Sequence, residues 1–241
     1  MKVALVTGGA RGIGAAIVKR LAQDGAAVAF TYVSSPDKAN DLAATINANG
    51  GKALAIRADS ADAVAVKAAV AKTVEHFGAL DILVTNAGIL NLAPIEDYPL
   101  EDFDRMVATN VRGVFVAMQA AAKVMKEGGR IVTIGSIASI RVAFPTSSVY
   151  SMTKGAVAAL VRGAAIDLAP RGITVNNVQP GPTETDMNPA DGPHAPALQT
   201  MIPARRFGKA EEVAGMVAYL VSGEAGFVTG ASFTVDGGYT A

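Results

Sequence analysis

KVALVTGGARGIG, residues 2–14, decides how this chain folds. Val3, Ala4, Leu5 and Val6 make a short continuous apolar run that suits a strand covered on both faces. Thr7-Gly8-Gly9-Ala10-Arg11-Gly12-Ile13-Gly14 then leads into a helical pattern. Strand, glycine turn and helix in that order read as a nucleotide site. Glycines let the backbone turn sharply and approach a pyrophosphate, and the free N–H groups and positive dipole end of the helix receive its charge. Glycines at 8, 12 and 14 leave three residues before the second glycine, where the G-x-G-x-x-G fingerprint leaves one. A tight structural turn would use the same glycines, so the weight of the reading comes from the residues that follow.

Beyond this turn, apolar strand-like runs alternate with amphipathic stretches. Strands are expected at 27–32, 52–57, 82–85, 130–134, 173–178 and 232–235, and helices at 15–23, 37–47, 63–77, 103–124, 149–168 and 211–221. Strands separated by helices of this length need crossover connections, which predicts a parallel sheet covered on both faces. Ligands of such sheets bind outside the carboxyl ends of the strands.

The 241 residues suffice for one large α/β domain, and no linker divides them. Lys plus Arg and Asp plus Glu are equal at 21 each, so no global field attracts nucleic acid or an anionic membrane. The absence of cysteine excludes disulfides and thiol catalysis. The apolar run after Met1-Lys2 is too short for a signal peptide and no segment reaches the length of a membrane span, which predicts a cytoplasmic protein. Two distant histidines, His76 and His194, argue against a catalytic metal. His76 is expected to pack at a helix end.

The second strand addresses the cofactor's ribose. NAD sites usually place an acid about 20 residues past the glycines, where it binds the 2′-hydroxyl and repels a 2′-phosphate. Here the chain reads Thr31-Tyr32-Val33-Ser34-Ser35, without an acid. Arg11 is placed to meet a phosphate and Ser34 and Ser35 to donate to it, which predicts NADP(H); a solvated Arg11 and helix-capping serines are the plainer alternative. Asp59-Ser60 closes the third strand, to accept from an adenine amino group or to cap the next helix. Asn86-Ala87-Gly88 closes the fourth on the same predicted ligand side, as site residues or ordinary turn formers.

Tyr150 and Lys154 lie four apart at the start of a helical stretch, hence on one face. A phenol is a weak acid with a pKa of ~10, and a neighbouring ammonium favours its phenolate. A surface tyrosine packed over a lysine stem has the same spacing. Ser136 stands just past the fifth strand and can hydrogen-bond a substrate oxygen, although no histidine is present to activate it as a nucleophile. Ser139, Ser147 and Ser148 compete for that role on spacing alone.

Taken together, Thr7-Gly8-x-x-x-Gly12-Ile13-Gly14, Asn86-Ala87-Gly88, Asn110 in Thr109-Asn110-Val111, Ser136, Tyr150-x-x-x-Lys154, Pro180-Gly181 and Val235-Asp236-Gly237-Gly238 resemble the classical short-chain dehydrogenase/reductase family over the whole chain. The resemblance implies a single Rossmann-like doubly wound domain over residues 1–241, with a seven-stranded parallel sheet and helices on both faces. It implies a tetrad of Asn110, Ser136, Tyr150 and Lys154. Tyr150 would exchange the proton and Ser136 would polarise the carbonyl. Lys154 would hold the nicotinamide ribose and favour the phenolate, while Asn110 would position a water linking Lys154 to solvent. Ser136 and Tyr150 are fourteen apart, one more than in many relatives, which lengthens the loop between them.

From Pro180-Gly181-Pro182-Thr183 to about Phe207 the chain is rich in Pro, Met and small residues. In the family this segment, about 182–207, covers the substrate, and the region of Thr183 touches the nicotinamide amide. Met187, Met201 and Ile202 are expected to form an apolar wall, Ile89, Leu90, Val142 and Phe144 to complete the pocket, and His194 to reach the substrate. These residues point to an NADPH-dependent reductase of small or medium apolar ketones and aldehydes. Many relatives are 3-oxoacyl-[acyl-carrier-protein] reductases, and the pattern from Arg206-Phe207-Gly208 to Asp236-Gly237-Gly238 resembles them. Docking an acidic carrier calls for basic residues beside the site; Arg171 is available, but Glu127 weakens the patch of Lys123 and Lys126. A third reading is a binding role, because Asn176-Asn177-Val178-Gln179-Pro180-Gly181-Pro182 is reminiscent of a bacterial protein of this fold associated with cyclic di-GMP and biofilm dispersal. The family is commonly tetrameric, and the Ala-rich faces of 111–124 and 155–168 suit a homotetramer.

Overall fold

The computed structural model describes residues 1–142, 144–186, 188–192 and 195–241. Met187, expected in the apolar wall, and His194, expected to reach the substrate, lie outside the described residues. Seven strands form one sheet in the order β3-β2-β1-β4-β5-β6-β7, and every neighbouring pair is parallel. They span Val3–Thr7 (β1), Ala27–Tyr32 (β2), Lys52–Arg57 (β3), Ile82–Thr85 (β4), Arg130–Ile134 (β5), Thr174–Pro180 (β6) and Ser232–Val235 (β7). The helices are Gly12–Gln23 (α1), Pro36–Ala48 (α2), Ala63–Phe77 (α3), Leu100–Val107 (α4), Gly113–Val124 (α5), Ser148–Leu168 (α6), Ala195–Met201 (α7) and Ala210–Val221 (α8).

Side chains of β1 alternate between two cores, as a pleated strand requires. Ala4 and Val6 pack with Ile17 and Leu21 of α1, Leu42 of α2 and Val217 and Leu220 of α8. Leu5 points the other way, toward Val66 and Val70 of α3, Met118 of α5 and Val161 of α6. Chain order reverses at β1: β2 and β3 build outward on one side and β4 to β7 on the other. The carboxyl ends of β1 and β4 therefore flank the switch point where open α/β sheets bind ligands.

Residues 103–124 read as one helical region; the structure extends it to Leu100 and interrupts it with a π turn at Ala108–Arg112 between α4 and α5. One extra residue in the turn re-aims the side chains it carries, a device common at functional sites. His76, expected to pack at a helix end, is exposed in the last turn of α3, where its ring meets that of Phe77 edge-on at 4.6 Å. A short helix, α7, lies in the Pro- and Met-rich segment 182–207, where no helix is expected. Among the described residues no helix is long and apolar enough to cross a membrane.

Candidate active site

A cavity of about 980 Å³ opens at the carboxyl ends of the strands. The glycine turn forms one end, with Gly8, Arg11, Gly12 and Ile13 on its wall. Gly8 sits at φ +65°, and a Cβ there would lie 2.9 Å from the Ala87 Cα. Gly14 lies behind the wall, buried, where a Cβ would collide with the Gly8 carbonyl and approach the Asn86 amide nitrogen to 2.5 Å. The Asn86 amide explains the crowding: Nδ2 donates to the carbonyls of Thr7 (3.1 Å) and Gly8 (2.9 Å). In return, the Thr7 hydroxyl accepts from the backbone N–H of Asn86 and of Ala87, both at 3.1 Å. Thr31 adds a hydroxyl that accepts from the Gly8 N–H at 3.0 Å. Side chains from three strand ends thus hold the turn, leaving the N-terminal amides of α1 facing the cavity.

Tyr32, Ser34, Ser35, Asp59 and Ser60 line the same end, and Asn86, Ala87 and Gly88 line the middle. Neither Arg11 nor Ser35 caps its helix through a side-chain hydrogen bond. Asp59 does not cap α3; Asp62 does, accepting from Val64 and Ala65. Asp59 instead accepts from the Ala61 N–H (2.9 Å) and pairs with Arg105 at 3.1 Å, while a carboxylate's further lone pairs stay open to a ligand donor. Thr109 lines the cavity, and its hydroxyl, buried beside it, has no hydrogen-bond partner among the described residues. A glycine cradle with no room for Cβ atoms and an unpartnered buried hydroxyl together fit a bound nucleotide.

Ser136, Tyr150 and Lys154 share the other half of the cavity. Gly135, whose Cβ would stand 2.6 Å from Asn177 Oδ1, lets the end of β5 pack against β6 and turn Ser136 into the cavity. The competing serines are accounted for: Ser139 donates to the Ser136 carbonyl (2.8 Å) and accepts from Gln179 (2.5 Å), and Ser147 donates to the Phe144 carbonyl at 2.7 Å. Ser148 is exposed outside the lining. Lys154 is 6 % exposed; its Nζ donates to the Ile134 carbonyl at 3.0 Å and stands 5.6 Å from the centroid of the Tyr150 ring. Asn110 lies one layer back. Carried by the π turn, its amide accepts from the Ile89 N–H and donates to the Ile89 carbonyl, both at 2.9 Å, with a further donation to Thr153 at 3.2 Å. A Cβ built on Gly88 would lie 3.4 Å from Asn110 Oδ1 and 3.6 Å from Lys154 Nζ, so the glycine keeps open the gap between them.

Pro180, Gly181 and Thr183 border this half, and Ile89, Leu90, Val142 and Phe144 line it as expected. Ile202 does not: it is buried with Ile137 and Tyr239, and Met201 packs against that cluster. Ala197 and Leu198 of α7 face the cavity instead, together with Arg141 and Tyr239. Nothing in their spacing marks these four, because they meet the site only through packing of the loop after β5, the 182–207 segment and the C-terminal tail.

An exposed ion pair closes the outer edge. Lys38 of α2 meets Asp186 at 2.9 Å, and that partner, with Arg11 adding to the effect, holds the Asp186 carboxyl below its usual pKa. Asp186 is therefore an anion placed against two cations, Lys38 and Arg11. Asp186→Asn should tighten NADPH binding but not NADH binding, with the larger gain at low salt; equal effects on both cofactors would contradict this.

Two groups singled out in the sequence serve the scaffold. Asn176 and Asn177 are fully buried in β6: Asn176 bonds Val228 and Ala231, and Asn177 bonds Thr133 and Ser232. Arg171 donates to the carbonyls of Ala122 (2.6 Å) and Met125 (2.7 Å) at the end of α5. Arg171, Lys126 and Glu127 precede β6 or β5, so within this chain they stand at the amino ends of the strands, opposite the cavity rather than beside it.

A family model described as enoyl-(acyl carrier protein) reductase matches residues 8–240. The short-chain dehydrogenase/reductase from Serratia marcescens BCRC 10948 superposes with a TM-score of 0.98 at 57% identity, over 100% of this chain and 98% of that one. A short chain dehydrogenase from Burkholderia cenocepacia J2315, solved in complex with NADP, gives 0.98 at 52% identity with the same coverage. The cyclic-di-GMP-binding biofilm dispersal mediator protein of Escherichia coli K12 is 46% identical over 240 residues, covering 100% of this chain and 98% of the relative. The chain belongs to the short-chain dehydrogenase/reductase family of oxidoreductases.

Proposed function

We propose that this protein is an NADP(H)-dependent reductase of ketones or aldehydes, working reversibly on their alcohols. The observation that carries the reading is one cavity holding both the glycine cradle and the group Ser136, Tyr150 and Lys154. Gly8, Arg11, Gly12, Ile13 and Gly14 would hold the pyrophosphate, and Arg11, Ser34 and Ser35 the 2′-phosphate. Tyr32, Asp59 and Ser60 would contact adenosine, and Asn86, Ala87, Gly88, Pro180, Gly181 and Thr183 the nicotinamide half. The nicotinamide supplies a hydride when bound. Ser136 donates to the carbonyl oxygen and holds the carbon in line. Tyr150 gives that oxygen a proton, and Lys154, anchored on the Ile134 carbonyl, favours the phenolate left behind. Asn110 keeps the Ile89 backbone in place beside Lys154.

Exposed apolar side chains on the same long helices, Phe115, Met152 and Ile166, support assembly into a homotetramer. The relative linked to cyclic di-GMP supports a second reading, nucleotide binding in this cavity without turnover. Its weak point is that Asn176 and Asn177 have their amides engaged inside the sheet. Reduction of the acyl-thioester of an acidic carrier is the third.

One assay separates them: oxidation of NADPH, with NADH alongside, against small ketones, diketones, β-ketoesters and an acyl-thioester, followed by titration with cyclic di-GMP. Turnover of a simple carbonyl supports the first reading, and preference for the thioester the third. Tight cyclic di-GMP binding with no turnover of any member would overturn the reductase.

A further inference from the structure

The charges of the cavity do not balance, and part of the excess lies at the substrate end. Arg11, Arg105, Arg141 and Lys154 line it against two carboxylates, Asp59 and Asp186. Asp59 pairs with Arg105, and Asp186 with Lys38. Lys154 belongs to the tyrosine and Arg11 to the glycine turn. Arg141 has no carboxylate within ion-pair distance among the described residues.

Its orientation is nevertheless set. Arg141 follows Ser136 by five residues, and its backbone N–H donates to the Ile137 carbonyl at 2.9 Å. The guanidinium donates one N–H to the Tyr239 carbonyl at 2.6 Å and stands 5.1 Å from the centroid of the Tyr239 ring. Tyr239 is 2 % exposed, so the guanidinium leans on a rigid support. A guanidinium has five N–H donors in a planar fork, and this one spends a single donor on the tail. Arg141 is exposed, and the same cavity wall carries the apolar side chains of Leu90, Val142, Phe144 and Leu198. A wholly apolar ketone filling this space would strip water from the remaining donors without replacing it. A substrate oxyanion would satisfy them, two at a time.

We propose that Arg141 is a specificity-determining residue that binds a carboxylate on the substrate, so that the preferred substrates are oxo acids with an apolar body rather than neutral ketones. The proposal rests on the carbonyl-reductase reading and adds a substrate class to it.

The test measures binding, so that it does not depend on turnover. NADPH-loaded protein carrying Tyr150→Phe is titrated with phenyl-substituted 2-oxo and 4-oxo acids and with their methyl esters, following the fluorescence of the bound cofactor. The acids should bind more tightly than their esters, and added salt should weaken only the acids. Arg141→Gln should weaken the acids by about tenfold or more and leave the esters unchanged, with Arg141→Lys in between. Acids and esters bound alike, or both weakened equally by Arg141→Gln, would reduce Arg141 to a tether for the tail and overturn the proposal, as would no acid binding at millimolar concentration. If Arg141→Gln does not fold, the acid-to-ester ratio and its salt dependence in the protein with Arg141 intact decide. Failure of the underlying reading looks different: no carbonyl then oxidises NADPH in the protein with Tyr150 intact, whatever the ratio of acid to ester binding.

Discussion

Tyr150→Phe should bind NADPH as well as the parent protein and turn carbonyls over about 10²–10⁴-fold more slowly, the usual contribution of a positioned proton donor. The substitution deletes one oxygen and keeps the ring that lies 5.6 Å from Lys154 Nζ. Lys154 keeps its bond to the Ile134 carbonyl, and Ser136 its bond from the Ala138 N–H, so the cavity retains its shape. Cofactor fluorescence and steady-state rates on one preparation decide the matter. Unchanged turnover would remove Tyr150 from the chemistry, and a joint loss of binding and turnover would make it structural.

Gly14→Ala should lower the melting temperature by about 10 °C, on the order of 3 kcal/mol, and abolish NADPH binding. The added methyl group meets the Gly8 carbonyl and the Asn86 amide nitrogen. Neither gives way alone, since Asn86 also holds the Thr7 carbonyl and its backbone N–H is held by the Thr7 hydroxyl. Gly223→Ala is the control: a Cβ on that exposed position after α8 meets nothing within 4 Å, its φ lies outside the left-handed region, and the change should stabilise the protein by about 0.4–1 kcal/mol. Similar melting shifts for the two variants would mean that the turn tolerates a side chain and is not the tight cradle described.

The alternation of apolar runs with amphipathic segments predicts a parallel doubly wound sheet, and the residues Gly8, Arg11, Gly12, Ser136, Tyr150 and Lys154 can be picked out because their signals are local. A glycine turn after a strand, a serine at a strand end and a tyrosine four residues before a lysine on one helical face each lie within a few residues of chain. The π turn leaves no such mark. Its effect is one added residue in a helix that already reads as continuous, yet it is what carries Asn110 to the Ile89 backbone, 21 residues earlier in the chain. Asp59 shows the same limit. Its position before a helix is compatible with capping, but Asp62 stands closer to the helix start and takes that role, leaving Asp59 to Arg105.

Sequence by itself determined the fold class, the order of the site's elements and the residue types available for acid–base and phosphate chemistry, because periodicity and turn chemistry act between near neighbours. Tertiary structure alone decided that the Ser139 and Ser147 hydroxyls are spent on backbone carbonyls and that Lys123, Lys126, Glu127 and Arg171 belong to the opposite end of the sheet. It also decided that Asn176 and Asn177 face the scaffold, and that Arg141 rests on Tyr239, 98 residues away. Parallel register and crossover helices bring distant strand ends to one edge, and no window of local sequence carries the distances that result.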